Sequence, residues 1–290
     1  MKVVVTGAGG MLGRSVMTAL AAAGHEAVGL ARQDADVTRP ETLRHPLKAL
    51  GPDWVFHLAA FTRVDDCETR ADHAHLVNGL GARNVAQAAG EAGAAVLAVS
   101  TDYVFAGEST RPYREYDPVG PRSVYGASKL AGEMAVREVT ARHIIVRSAW
   151  LYGRGGNNFV DTILARARAA EPLRVVDDQR GSPTSTTDLA EALVKLASVG
   201  QYGTFHCTNG GDCTWHELAV HILARAGIES KVARIDSLAL GRPAPRPGYS
   251  VLSNLMFEHV TGHRMAHWQA AVDRYLDSGG ALRRAHEEGR

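Results

Sequence analysis

A tyrosine and a lysine four residues apart, Tyr125 and Lys129, stand in the stretch VYGASKLAGE at 124–133. Residues at i and i+4 share one face of any helix, so the spacing alone describes an ordinary surface pair as well as a catalytic one. A third group adds chemistry. The apolar run AVLAVS at 95–100 leads into Thr101 and the rest of STDYVF. That places polar groups at the C-terminal end of a strand, where parallel α/β sheets bind their ligands. Thr101, Tyr125 and Lys129 converging beside a nicotinamide would suit carbonyl reduction, because the alkoxide formed on hydride delivery needs a proton and hydrogen-bond donors. A free phenol titrates at about 10, and a cation one helical turn away is expected to lower that value.

The segment VVVTGAGGMLG sets Gly7, Gly10 and Gly13 in a GxxGxxG arrangement directly after a strand pattern and at the start of a helix pattern. Glycine permits a tight turn and close backbone approach, and a helix N-terminus offers free N–H groups to a pyrophosphate. A glycine trio alone describes any strand-to-helix turn; its position at the head of a βαβ series favours a dinucleotide. At the end of the second strand the sequence reads VGLARQDADV. Arg32 there would pair with a 2′-phosphate, which favours NADPH, while Asp34 and Asp36 leave NADH open. Asp36 and Val37 are also placed to meet the adenine.

These groups need a scaffold. Short apolar runs at 3–5, 27–30, 54–58, 95–100 and 143–148 alternate with helix-length patterns around 12–23, 40–50, 71–92 and 126–141. This rhythm predicts βα units and a Rossmann-type, doubly wound parallel sheet over residues 1–150. After Trp150 it loosens, so 151–290 is expected to form mainly a smaller, less regular substrate lobe. A helix pattern at 188–198 and a strand pattern near 203–208 would return about 186–208 to the first domain. GRPAPRPG at 241–248 must be loop, and a last helix pattern runs from about His267 to Leu282.

With 290 residues, 45% of them hydrophobic, the chain can bury a large core. Thirty-two basic against 31 acidic residues, without a basic block, indicate neither a nucleic-acid nor a membrane partner, and a small molecule is the expected one. Cys67, Cys207 and Cys213 form no CxxC motif, which fits a reducing compartment and argues against structural zinc. No apolar signal core or spanning segment is evident, so the expected location is cytoplasmic.

Taken together, the glycine loop, Tyr125–Lys129, PDWVFHLAAFTRVDDCE at 52–68, VNGLGARNVA at 77–86, STDYVFAG at 100–107, IIVRSAWLYG at 144–153, NNFVDTIL at 157–164, VVDDQRGSPT at 175–184 and RPGYSVL at 246–252 resemble the dTDP-4-dehydrorhamnose reductase family of the extended short-chain dehydrogenases/reductases. The resemblance covers most of the chain. It implies NAD(P)H-dependent reduction of the 4-keto group of a dTDP-linked 6-deoxyhexose, leading to dTDP-L-rhamnose. By the same resemblance Tyr125 would be the general acid, Lys129 would hold the nicotinamide ribose and tune the phenol, and Thr101 would help polarise the carbonyl. Gly10, Met11 and Leu12 would line the phosphates, Asp36 and Val37 the adenosine end, and Ala60, Phe61 and Thr62 the middle of the cofactor. Asp102 and Trp150 match positions that touch the sugar nucleotide, although Trp150 also reads as core packing.

Two departures stand out. Some family members bind magnesium through glutamates at a dimer contact; Ser15 and the region of Thr187 stand there here, so a monomer or a homodimer without a metal bridge is expected, and no metal site. His57 replaces a small polar residue and is expected to be a buried strand histidine with a satisfied hydrogen bond. His259, His263 and His267 have helical spacing, but Gly262 interrupts it and no acidic or cysteine partner is near, so a packing or surface role is expected. Asp65–Asp66 and Asp177–Asp178 read as turns and substrate-lobe structure, and RRAHEEGR as a solvated tail. Competing functions are a C4 reductase for another dTDP-6-deoxyhexose of the dihydrostreptose or deoxytalose type, a non-catalytic NADP-binding subunit like that of methionine adenosyltransferase, and a UDP-sugar epimerase.

Overall fold

A computed structural model of the chain describes residues 1–279. Strands β1 (Lys2–Thr6), β2 (Glu26–Leu30), β3 (Trp54–His57), β4 (Ala95–Thr101) and β5 (His143–Ser148) form over the apolar runs. With Gly203–His206 they make a six-stranded sheet in the order Gly203–His206, β5, β4, β3, β1, β2. Every pairing in it is parallel. The chain crosses from β1 to β2 on one side and returns to β3 on the other, so a crevice opens beyond the C-terminal ends of β1 and β3.

Both faces of the sheet are buried, which is why its strands read as unbroken apolar runs. Val3, Val5, Phe56, Leu97 and Val146 face Val16 and Leu20 of the helix Met11–Ala22 and Leu189, Leu193 and Leu196 of the helix Thr186–Val199. Their neighbours Val4, Val55, Val96 and Ile145 point the other way, onto Leu43, Leu47, Val85, Ala89 and Val136. Those residues belong to the helices Pro40–Leu50, Gly81–Glu91 and Val124–Val139. The architecture is a doubly wound α/β fold of Rossmann type.

Beyond Trp150 a third apolar core collects Val160, Leu164, Leu218, Ile222, Trp268 and Val272. The loosened rhythm there conceals two helices. Phe159–Arg168 starts where the Asn158 side chain accepts from Asp161 N, and Trp215–Arg225 starts at a capping box between Thr214 and Glu217. Strand Val232–Ile235 pairs with Leu173–Val176 beside them. The last helix is shorter than its pattern, Trp268–Asp277; residues 280–282 of that pattern and the RRAHEEGR segment lie outside the described residues.

One buried ion pair joins the helix Val124–Val139 to the sheet. Arg147 of β5 donates to both carboxylate oxygens of Glu133, at 2.9 and 2.8 Å, and Ser100 Oγ of β4 donates to the same carboxylate at 2.6 Å. Burial works to raise the Glu133 pKa, but Arg147 and Ser100 outweigh it and hold the carboxyl below its ordinary 4.5. Removing one partner of such a pair leaves a buried charge unmatched. Glu133→Ala is therefore expected to lower unfolding free energy by about 3–5 kcal/mol in urea denaturation at neutral pH, with Glu133→Ala/Arg147→Met recovering much of the loss. Because the folded pKa is depressed, the pair's contribution is present above about pH 4.5 and lost as pH falls through the lower folded value, so the wild-type advantage should shrink in acid.

Candidate active site

The helix carrying Tyr125 begins at Ser123, whose Oγ accepts from Gly126 N at 3.2 Å. Two glycines let it settle closely against its neighbours. A Cβ on Gly126 would fall 2.2 Å from Tyr103 O, and one on Gly132 2.2 Å from Asn78 O. The helix thus rests on the 3₁₀ turn Asp102–Val104 that follows β4 and on the π-helical turn His75–Leu80. Thr101, at the end of β4, stands beside Ser148 at the end of β5, and the Tyr103 ring meets Tyr125 edge-on at 5.6 Å.

Lys129 is buried, and its Nζ donates to Val99 O at 2.7 Å. Burial pushes its pKa down to about 8 against the opposing charge of Glu133. The Tyr125 phenol moves up, not down. Its withdrawal from water raises it above the ordinary range, a hydrogen bond with Thr101 opposes the rise, and the Asp102 carboxylate adds to it. The expected lowering by Lys129 is corrected: the ammonium is turned to a backbone carbonyl and desolvation of the phenol dominates. Thr101 Oγ1 donates to Asp102 Oδ1 at 2.9 Å and accepts from Tyr103 N at 3.2 Å. Asp102 is buried, and burial pushes its carboxyl up to about 6 despite the Thr101 bond.

The glycine turn fits a dinucleotide. Gly7 has φ 73°, and a Cβ there would lie 2.7 Å from Ala59 N; a Cβ on Gly13 would lie 2.2 Å from Gly7 O. Gly10 caps the helix Met11–Ala22 without a side chain, so the first N–H groups stay open to an anion. Gly156 approaches Met11 from the segment after β5, and Leu12 packs on the core beneath. Past the end of β2, Asp36 accepts from Thr38 N at 3.0 Å and Thr38 Oγ1 at 2.8 Å, and these bonds hold its pKa down. Arg32 is 76% exposed and its Nε donates to Asp36 at 3.2 Å. Val37 is buried and its carbonyl accepts from Asn84 Nδ2 at 2.9 Å.

The family model described as RmlD substrate binding domain matches residues 1–280. The spore coat polysaccharide biosynthesis protein SpsK of Bacillus subtilis is 44% identical over 95% of this chain and 96% of its own. A dTDP-4-dehydrorhamnose reductase of Streptomyces griseus is 43% identical over 92% of this chain and 90% of its own. The crystal structure of dTDP-4-dehydrorhamnose reductase from Bacillus anthracis in complex with NADP superposes with a TM-score of 0.93 at 36% identity, covering 96% of this chain and 100% of that one. This chain belongs to the dTDP-4-dehydrorhamnose reductase family.

Several residues that shape this family member's site carried no signal of their own in the sequence. Asn78 accepts from Phe61 N at 2.7 Å and donates to Phe61 O at 3.0 Å and Ser128 Oγ at 2.9 Å. It therefore fastens the Ala60–Phe61–Thr62 loop to the helix Val124–Val139. Phe61 turns its ring to His73 and Arg70, and Thr62 is exposed. Asp65 lies in the first turn of a helix, Val64–Thr69, where a turn was expected. It accepts from Arg246 at 2.9 Å, Arg242 at 3.1 Å and Ala244 N at 3.2 Å, clasping the proline-rich loop. Asp177 accepts from Thr214 and Arg234, and Asp178 from Ser237, so both acids tie together segments that follow Trp150. Buried His57 shares a 2.9 Å hydrogen bond with Thr6, and burial lowers its pKa to about 3. Ser15 Oγ donates to Thr186 Oγ1 at 2.9 Å, and Gly262 ends the helix of His259 with φ 64°.

Arg32 is an exposed cation two residues past the end of β2, and a charge-assisted bond to a phosphate is worth about 1.5–3 kcal/mol. Arg32→Ala should therefore raise KM for NADPH by roughly tenfold or more and leave KM for NADH within about twofold, measured by initial rates. Equal effects on both would overturn the 2′-phosphate role.

Proposed function

We propose that this chain reduces the C4 keto group of dTDP-4-dehydro-L-rhamnose to give dTDP-L-rhamnose, with Tyr125 as proton donor. The enzyme is an NAD(P)H-dependent oxidoreductase of its family; NADPH is the preferred reductant and NADH is admitted as well. The observation that carries the finer reading is the meeting of Thr101, at the C-terminal end of β4, with Tyr125 in the first turn of the helix Val124–Val139, with Lys129 one turn further along that helix. Residues 1–150, joined by about 186–208, would hold the dinucleotide, and 151–290 most of the sugar nucleotide.

When bound, the reduced nicotinamide supplies the hydride. Tyr125 gives its proton to the C4 oxygen as charge develops there. A phenol raised above its ordinary range keeps that proton at neutral pH, which suits an acid in the reductive direction. The Thr101 hydroxyl steadies the same oxygen, and Lys129 holds ribose hydroxyls and supplies positive charge below about pH 8. Asp102 and Trp150 orient the sugar nucleotide. Gly7, Gly10, Met11, Leu12 and Gly13 cradle the pyrophosphate, with Arg32, Asp36 and Val37 at the adenosine and Ala60, Phe61 and Thr62 along the middle.

The test is NADPH oxidation followed at 340 nm with dTDP-4-dehydro-L-rhamnose generated in situ, with the product sugar identified. Rhamnose supports the reading; another C4 configuration moves the chain to a different 6-deoxysugar, and no oxidation despite tight NADPH binding points to a non-catalytic subunit. Tyr125→Phe should lower kcat by about 10²–10⁴-fold while leaving the NADPH dissociation constant unchanged. The pH profile of kcat/KM for NADPH reports the free enzyme and should fall above about pH 8 as Lys129 loses its proton. A flat profile from pH 7 to 10 would remove Lys129 from the assignment.

A further inference from the structure

We infer that Trp215 is a positioning residue of the sugar-nucleotide site, acting by holding the Trp150 indole in place; the inference rests on the reductase reading above. Trp150 comes two residues after the end of β5, the strand whose Ser148 stands beside Thr101. Its φ is 50°, in the left-handed region that a bulky side chain rarely adopts. Such a conformation persists only where the surroundings over-determine it, and it gathers where ligands are gripped.

Three neighbours hold it. Thr184 N donates to Trp150 O at 3.2 Å. A Cβ on Gly181 would lie 2.5 Å from Trp150 Cε2, so only glycine leaves room for the ring. The Trp215 indole lies parallel to that of Trp150, with centroids 3.6 Å apart and planes 6° apart. Face-to-face stacking is not the arrangement two aromatic rings choose by themselves, so the pair is held from outside. Phe159 braces Trp215 at 4.6 Å, and the Thr214–Glu217 capping box fixes Trp215 as the first residue of its helix. Cys213 pairs with Gly181, so the element that aims Trp215 is the same one that leaves space for Trp150. Trp150 remains only half buried at the cleft end of β5. Trp215 touches neither Thr101 nor Tyr125; its influence passes through the plane of Trp150.

Two indoles stacked this closely couple their excited states, and a rotation of one long axis against the other about the stacking direction gives paired bands of opposite sign in far-ultraviolet circular dichroism. The full chain and its Trp215→Ala, Trp215→Phe and Gly181→Ala variants would be compared by this signal, by kinetics with dTDP-4-dehydro-L-rhamnose, and by calorimetric binding of dTDP-glucose. In Trp215→Ala the couplet should vanish and the sugar-nucleotide KM rise roughly tenfold, the upper range for an aromatic pair, while kcat and KM for NADPH stay within about twofold. Trp215→Phe should lose the couplet yet restore most of the KM. Gly181→Ala, which pushes the Trp150 ring from elsewhere, should distort the couplet and raise the same KM. An unchanged sugar-nucleotide KM in Trp215→Ala, or an equal rise in KM for NADPH, would overturn the positioning role. If wild type binds dTDP-glucose but does not reduce the keto sugar, the reductase reading fails, and the dissociation constants of the variants decide the positioning role by the same margins. If wild type binds neither, both fall.

Discussion

The ion pair between Glu133 and Arg147 fixes how the helix of Tyr125 and Lys129 lies on the sheet, and most of the site follows from that placement. Two bonds from one guanidinium set the helix's rotation as well as its distance from β5, and Ser100 adds a third contact from β4. Arg147 is held in turn by the Phe105 ring, 5.0 Å from its guanidinium carbon. A buried pair is a weak source of net stability compared with an apolar replacement, so its value here lies in specifying one docking geometry. Gly126 and Gly132 complete the fit by removing the two side chains that would hold the helix away from its neighbours.

Once docked, the helix has its two functional groups withdrawn from water, and burial acts on them in opposite directions. It disfavours the phenolate of Tyr125 and the ammonium of Lys129 alike, raising one pKa and lowering the other. The result is a phenol that keeps its proton and, one helical turn further on, an ammonium held at the Val99 carbonyl that titrates near the top of the physiological range. Asp102 moves the same way as Tyr125, since a buried carboxylate is also penalised. Chemistry that needs a proton held until hydride arrives is served by this arrangement.

The C-terminal residues close over that centre through contacts of a different kind. Asp65 receives the proline-rich loop through two arginines, and a stacked indole pair holds Trp150 in a strained backbone conformation at the end of β5. Charge organises the first and shape the second. Both connect residues more than 60 positions apart in the chain, so they exist only once the lobe has folded onto the sheet.

The sequence by itself determined the alternation of strands and helices, the Gly7–Gly10–Gly13 turn, and the pairing of Tyr125 with Lys129, because each rests on local periodicity or on a backbone position that only one residue type suits. Apolar runs buried on both faces and glycines at close approaches leave that kind of mark. The helices Phe159–Arg168 and Trp215–Arg225 were not legible, since their amphipathic patterns are short and are framed by glycines, prolines and asparagines. Nor were Asn78, Glu133, Arg147 and Trp215, whose significance comes from partners distant in sequence. The direction of the Tyr125 shift was likewise decided by tertiary structure: i, i+4 spacing brings a cation near on paper, but the depth of burial and the carbonyl of Val99, which claims the ammonium, depend on how the helix meets the sheet.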